Sequence, residues 1–227
     1  MKVVFATPSI SGPTAPYIAA LKASIPLIKA AGWEEGYAQE IGNPYISMSR
    51  SLMTRRALDA KADIMVYIDY DLSWEPEDLL TLLETEGDVV AGDYRFKKDE
   101  EEYMAVLLTD KDGNPKVKEH GFIYADRVPA GFLKVSKEAI NKFMTAYPEL
   151  CYGEKYNLSV DLFNHGAHKG VWYGEDYAFS RNWRDCGGQI LVVADLNISH
   201  HSKDTEYKGN LHEFLMKQPG GSNHEHE

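Results

Sequence analysis

The order of apolar runs along this 227-residue chain predicts an α/β domain, a mostly parallel central sheet flanked by helices. Two observations carry that expectation. In the first third, short buried-type runs alternate with segments of helical period, the β-α-β-α-β order that parallel strands require. The chain is also 44% hydrophobic and 26% charged, with no internal repeat, which suits one large domain with a real core.

The elements follow in order. Val3 to Thr7 is a short apolar run closed by Pro8-Ser9, a buried strand followed by a loop through Ser11-Gly12-Pro13. Tyr17 to Ala31 places Ile18, Leu21, Ile25 and Ile28 at helical spacing, with Pro26 expected to kink or restart the helix. Ala38 to Ile41 reads as a second strand and Met48 to Ala60 as a second helix. Asp63 to Asp69 is the clearest buried strand. Glu75 to Leu83 is a helix whose first turn, Glu-Pro-Glu-Asp, has proline and acids where a helix start favours them. Asp88 to Gly92 is the next strand.

The pattern then changes. Tyr103 to Leu108, the turn Asp110 to Pro115, and Gly121 to Tyr124 read as a hairpin. Arg127 to Val135 reads as one strand, and Ser136 to Ala146 as a helix capped by Ser136. Residues 147–173 have no sustained period, which marks a functional or mobile stretch. Glu175 to Cys186 is a helix closed by Gly187-Gly188, and Gln189 to Ala194 is expected to be the last strand. One domain over residues 1–215 is expected, with a polar, flexible tail over 216–227.

Composition limits the partners. A formal net charge of -11 disfavours nucleic acid polymers and anionic membrane surfaces, both of which need a positive footprint. An acidic excess suits a divalent cation, or is plain solvated surface. Two cysteines, Cys151 and Cys186, make no disulfide framework and read as free thiols. No run approaches a membrane span, and the start lacks a signal-peptide core, so a cytoplasmic protein is expected.

Three segments could carry chemistry. Tyr67-Ile68-Asp69-Tyr70-Asp71 ends the most hydrophobic strand, where open α/β sheets bind ligands. Residues two apart on an extended chain point the same way, so Asp69 and Asp71 can address one point, and a divalent cation would relieve their repulsion. The plain alternative is two loop carboxylates in water. Glu175-Asp176 open a helix, either as dipole-stabilised acids or with one acting as a general base. His200-His201 follow the last expected strand. At most one of them can join a site, and a nitrogen ligand beside the D-x-D would favour manganese over magnesium.

Five blocks in this order resemble the GT-A-fold glycosyltransferases, in particular the small family-2-like enzymes of phages, large viruses and bacteria. They are Val3 to Pro8; Asn43-Pro44-Tyr45-Ile46 with Ser49-Arg50-Ser51; Ile68 to Asp78; Asp88 to Tyr94; and Gly174 to Gly188 with His200 after it. The second block has serines where the family has alanine and asparagine. The resemblance covers residues 1 to about 205. It implies a single nucleotide-diphospho-sugar transferase domain with a Rossmann-like sheet, a nucleotide-sugar half over 1–95 and an acceptor half over 96–215.

The resemblance also implies roles. Ala6, Thr7 and Pro8 would border the nucleotide base, with Arg50, Asp69, Tyr70 and Asp71 completing the donor site. Asp71 and His200 would hold a divalent metal, manganese rather than magnesium, with Asp69 holding the ribose or the metal from the other side. Asp176, or else Glu175, would deprotonate the acceptor hydroxyl. Ala130, Gly131 and Phe132 would line the sugar, and Trp172 would stack on an acceptor ring or simply pack. The implied activity is metal-dependent, inverting transfer of a hexosyl group from a UDP- or GDP-linked sugar to a hydroxyl acceptor such as a glycan. The setting it implies is the cytoplasm of a bacterium or a virus-infected host. A catalytically silent nucleotide- or carbohydrate-binding module is the alternative. A nucleotidyltransferase ranks lower, because the loop Thr7 to Pro13 lacks the basic residues that class uses.

Overall fold

In the computed structural model, which describes residues 1–118, 121–154 and 157–218, the chain forms β1 (Lys2–Ser9), α1 (Ala15–Ala30), β2 (Glu34–Ile41), α2 (Ile46–Asp59), β3 (Ile64–Ile68), β4 (Leu72–Trp74), α3 (Pro76–Glu84) and β5 (Val89–Gly92). The second half adds β6 (Val106–Leu107), β7 (Ile123–Arg127), β8 (Phe132–Ser136), α4 (Lys137–Ala146), β9 (Cys151–Glu154), β10 (Asn157–Val160), β11 (Gly166–His168) and β12 (Val171–Tyr173). It closes with α5 (Glu175–Asp185), β13 (Leu191–Val193), β14 (Ile198–His201), β15 (Glu206–Gly209) and α6 (Leu211–Lys217).

The central sheet has eight strands in the order β2-β1-β3-β8-β5-β13-β7-β6. Strands β2, β1, β3, β5, β13 and β6 point one way, while β8 and β7 run against them. Alternate residues of β1 feed two hydrophobic layers, as the period of a strand dictates. Val3 and Phe5 pack with Tyr17 and Ile28 of α1 and Leu79 and Leu82 of α3, whereas Val4 and Ala6 pack with Met53 of α2, Phe143 of α4 and Trp183 of α5. The expected α/β architecture is therefore the observed one, with helices on both faces.

Local chemistry explains the boundaries. The Thr14 hydroxyl accepts the Tyr17 N–H at the start of α1, and the Ser136 hydroxyl accepts the Ala139 N–H at the start of α4. Helix α3 starts with Pro76 and ends against buried Lys134, whose ammonium donates to the Leu83 and Thr85 carbonyls. Burial lowers the Lys134 pKa to about 8. Gly187, at φ +80°, closes α5. Both cysteines are free thiols.

Four expectations need correction. Helix α1 runs through Pro26 without a break, because Pro26 and Lys22, whose carbonyl loses its partner there, both face solvent. Residues 127–135 are not one strand. Val128-Pro129-Ala130-Gly131 interrupts them and carries the chain from the sheet edge to its middle, where β8 inserts between β3 and β5. Strand β13 is followed by β14 and β15, which pair outside the main sheet with β4. Helix α6 continues to Lys217, past the start of the expected tail, and residues 219–227 of that tail lie outside those described. The aperiodic stretch 147–173 contains two small hairpins, β9–β10 and β11–β12.

Candidate active site

A cleft of about 300 Å³ opens at the carboxyl ends of β1 and β3, lined by Pro8, Asn43, Arg50, Asp69, Tyr70, Asp71, Glu175 and His200 among others. This is where an open α/β sheet offers side chains and backbone to a ligand. Residues that lie as far apart as Pro8 and His200 in sequence therefore meet on one surface.

Arg50 is the hub of the cleft. It rises from α2, is 2% exposed, and its guanidinium stands 5.0 Å from the centre of the Phe163 ring. Its Nη1 donates to Glu175 Oε1 at 2.7 Å and its Nη2 to Asp69 Oδ1 at 3.0 Å. One buried cation thus ties the end of β3 to the start of α5. The Tyr94 hydroxyl donates to the other Asp69 oxygen at 3.4 Å. Gly131 makes this approach possible, because a Cβ there would overlap both the Tyr94 hydroxyl and the Asp69 carboxylate. The Asp69 N–H in turn donates to the Gly131 carbonyl at 2.9 Å.

Asp71 has different neighbours. Strand β14 lies antiparallel to β4 with His200 opposite Leu72, and the His201 N–H donates to the Asp71 carbonyl at 2.8 Å. That register sets His200 Nε2 3.7 Å from Asp71 Oδ2. His200 Nδ1 lies 2.9 Å from the Arg95 carbonyl, so it carries a proton, and Nε2 is the ring nitrogen that faces Asp71. His201 turns away to the Ser73 hydroxyl. The Lys97 ammonium sits on the same Asp71 oxygen. Burial alone would raise the Asp71 pKa, but the facing His200 and Lys97 outweigh it and hold the carboxyl below its ordinary value.

Asp71 and His200 suit a divalent cation: a hard oxygen, an imidazole lone pair, and a carbonyl behind the ring that fixes its tautomer. Lys97 puts a positive charge on that oxygen already. Asp69 is committed to Arg50 and Tyr94. Among the described residues no group of three or more His, Cys, Asp or Glu side chains converges on one point.

The adjacent acids Glu175 and Asp176 also differ. Glu175 is neutralised by Arg50. Asp176 has no cation within ion-pair distance among the described residues, and its Oδ1 accepts only the N–H of Tyr177. Burial, with Glu175 beside it, pushes the Asp176 pKa up to about 6. A carboxylate poised near neutrality, with no cation to satisfy it, is suited to accept a proton.

The remaining expected site residues are distributed unevenly. Ala6 and Thr7 are buried under the cleft, the Thr7 hydroxyl bonded to Tyr17, and only Pro8 of that trio lines it. Ala130 and Phe132 are core residues at 2% and 0% exposure, flanking the close approach at Gly131. Trp172 stands 70% exposed on the β11–β12 hairpin, 6.2 Å from the His165 ring.

Sequence reasoning missed Tyr94 and Lys97 as partners of the cleft carboxylates Asp69 and Asp71. What places them is Asp93, a fully buried carboxylate that accepts the N–H groups of Tyr94, Met104 and Ala105. Those bonds tie both ends of the connection carrying Lys97, and burial pushes the Asp93 pKa to about 7. An aspartate after an apolar strand and before a charged loop was the available signal.

No family model and no curated protein matches the sequence. Solved structures do match in fold. The chain superimposes on A197 from STIV with a TM-score of 0.56 at 16% identity, covering 92% of this chain and 95% of that one. It also matches GalNAc-T7, solved with UDP, GalNAc and Mn2+, with a TM-score of 0.52 at 12% identity, over 88% of this chain and 43% of that one. The fold is thus the single GT-A-like domain that the motif order resembles. Among the described residues, no helix is long and apolar enough to cross a membrane.

Proposed function

We propose that the protein is a metal-dependent inverting glycosyltransferase, moving a sugar from a UDP- or GDP-linked donor to a hydroxyl acceptor, with a glycan as the natural class of acceptor. The observation that carries this reading is the gathering of Asp69, Asp71, Glu175 and His200 around Arg50 in one cleft, with the acid–imidazole pair Asp71–His200 suited to a cation. Asp176, next in the chain to the Glu175 that lines the cleft, has no ion-pair partner among the described residues.

The donor would lie along the carboxyl edge of the sheet, its base against Pro8 and Asn43. Asp71 and His200 would hold the divalent metal, manganese in preference to magnesium because of the imidazole, and Lys97 would leave Asp71 when it arrives. When bound, the metal supplies Lewis-acid neutralisation of the departing diphosphate. Asp69, held by Arg50, would accept a ribose hydroxyl.

Asp176 would take the proton of the acceptor hydroxyl as the acceptor oxygen bonds to the anomeric carbon. The bond from that carbon to the diphosphate oxygen breaks with its electron pair going to the nucleoside diphosphate. One displacement of this kind inverts the anomeric centre. Glu175 is the poorer base, since its ion pair with Arg50 would have to break first.

Turnover of a panel of UDP- and GDP-sugars, by transfer or slow hydrolysis, tests the reading. One donor should be consumed in the presence of manganese. Asp176→Asn should lower that turnover by about 10²–10⁴-fold while donor binding is retained. Donor binding without turnover of any panel member would identify a silent binding module instead.

A further inference from the structure

A second cleft, larger at about 540 Å³, lies along the flank of α5 and is not used by the chemistry above. Its walls are the end of β7, the end of β12 and one face of α5, where Tyr177, Arg181 and Arg184 fall at i, i+4 and i+7. Tyr173 and Arg127 complete it from the neighbouring strands.

The arginines are arranged, not scattered. The Arg181 guanidinium lies 4.4 Å from the centre of the Tyr173 ring, and the Arg127 guanidinium 4.8 Å from that of Tyr177. Stacking of this kind fixes the plane of the donor fork. Their charge is incompletely answered. Arg184 and Arg127 share the one carboxylate of Asp126, Arg184 in contact and Arg127 at 3.6 Å. Arg181 donates through Nε and Nη2 to the neutral amide oxygen of Asn182. Asp185 also lines the cleft but makes no ion pair among the described residues. Arg181 Nη1 and Arg127 Nε are buried N–H groups with no hydrogen-bond partner among the described residues. Both atoms belong to side chains that line the cleft, and Arg127 Nε has only the Asp126 oxygen 3.6 Å away; buried charged donors without a hydrogen bond are costly.

We infer that this cleft binds an anionic oxygen group, a carboxylate or a phosphate, carried by the acceptor sugar. Planar guanidinium forks match both chemistries through paired N–H···O bonds. The position fits an acceptor because Tyr177 adjoins the proposed base, Asp176. At 1.5 Å rise per residue, Arg181 lies about 7.5 Å and Arg184 about 12 Å further along the helix axis. In a chain of net charge -11, a cleft with three arginines against two aspartates is also the exception that would draw an acidic ligand to one place. The assignment to an acceptor rests on the glycosyl-transfer reading, whereas the anion site does not.

Arginine side-chain NMR on the full ¹⁵N-labelled chain tests this, with the Nε–H signals assigned from Arg127→Lys and Arg181→Lys. Glucuronate or glucose 6-phosphate should shift the Arg127 and Arg181 signals, and the pair of probes separates carboxylate from phosphate recognition. Glucose should shift neither. Arg181→Gln should weaken the effective probe by tenfold or more and leave manganese-dependent UDP binding unchanged, which also reports that the variant is folded. The inference is overturned if neither anion moves either arginine, if glucose moves them equally, or if Arg127→Gln/Arg181→Gln binds the anion as the parent does. Anion binding here in a chain that turns over no sugar nucleotide would defeat the transfer reading and uphold the site. Turnover with unmoved arginines would defeat the site alone.

Discussion

Asp69 and Asp71 are separated by one residue, yet they belong to two regions of opposite character. Asp69 sits in the Arg50 hub, where a buried guanidinium takes one of its carboxylate oxygens and the Tyr94 hydroxyl the other. Asp71, whose own side chain is the more buried of the two, sits in the rim pair, held by a lysine whose side chain is 34% exposed and faced by His200 Nε2. Glu175 and Asp176 repeat the contrast, the first paired with Arg50 and the second unpaired. The lesson is that neighbouring carboxylates here divide labour by pairing and not by burial, since Asp71 is more buried than Asp69 or Glu175: acids fixed by the buried Arg50 hold the cleft in shape, and Asp71 and Asp176 are left to exchange a cation or a proton.

If that division is right, hub variants should lose stability and rim variants should lose chemistry. The largest expected effect on stability is at the centre of the hub. Arg50→Ala leaves two carboxylates without their cation and should cost about 3–5 kcal/mol, read by denaturant unfolding. A loss below about 1 kcal/mol would mean that the hub is not structural.

The next effect is on the rim and appears as a pH profile. Asp176 must be ionised to accept a proton and titrates near pH 6. Turnover should therefore be nearly flat above pH 7 and fall about tenfold per unit well below pH 6. An acid limb near pH 4 would contradict the assignment of the proton to Asp176.

Gly131→Ala adds a Cβ against Tyr94 and Asp69 and should destabilise by about 1–3 kcal/mol, with part of that loss recovered in the Tyr94→Phe background. Equal losses in both backgrounds would show that the close approach is not the reason for glycine. The smallest effect is at Lys97. Its ion pair is partly exposed and worth about 1 kcal/mol at most, so Lys97→Gln should tighten manganese binding by up to about fivefold in calorimetry. Weaker manganese binding would show that Lys97 supports the cation rather than competes with it.

Much of the hub's framework was legible in the sequence, because β3, α3 and α5 are each marked by local chemistry. An apolar run ends in Asp69, Glu75-Pro76 opens a helix, and Gly187 closes one. Arg50 was singled out, but its bond to Glu175, 125 residues away, has no local signature. The rim was harder to read. His200 belongs to a short polar strand with no hydrophobic period, and its place beside Asp71 is set by pairing with β4. Lys97 precedes the acidic run Asp99 to Glu102 and carries no local signal, because the buried Asp93 that ties down its loop acts through backbone N–H groups. The break at 128–131 has a local signal in Pro129 and Gly131, but where the chain goes next, the insertion of β8 between β3 and β5, has none.

In the proposed reaction a nucleotide donor is held chiefly through a cation at the rim, with the hub adding only the Asp69 contact to the ribose. Calorimetric titration of UDP into the full chain, with and without manganese, tests it most directly when repeated on Asp71→Ala. The account predicts UDP binding that requires manganese and is lost in Asp71→Ala, with the fold intact by circular dichroism. UDP binding of equal strength without metal, or undiminished in Asp71→Ala, would contradict it.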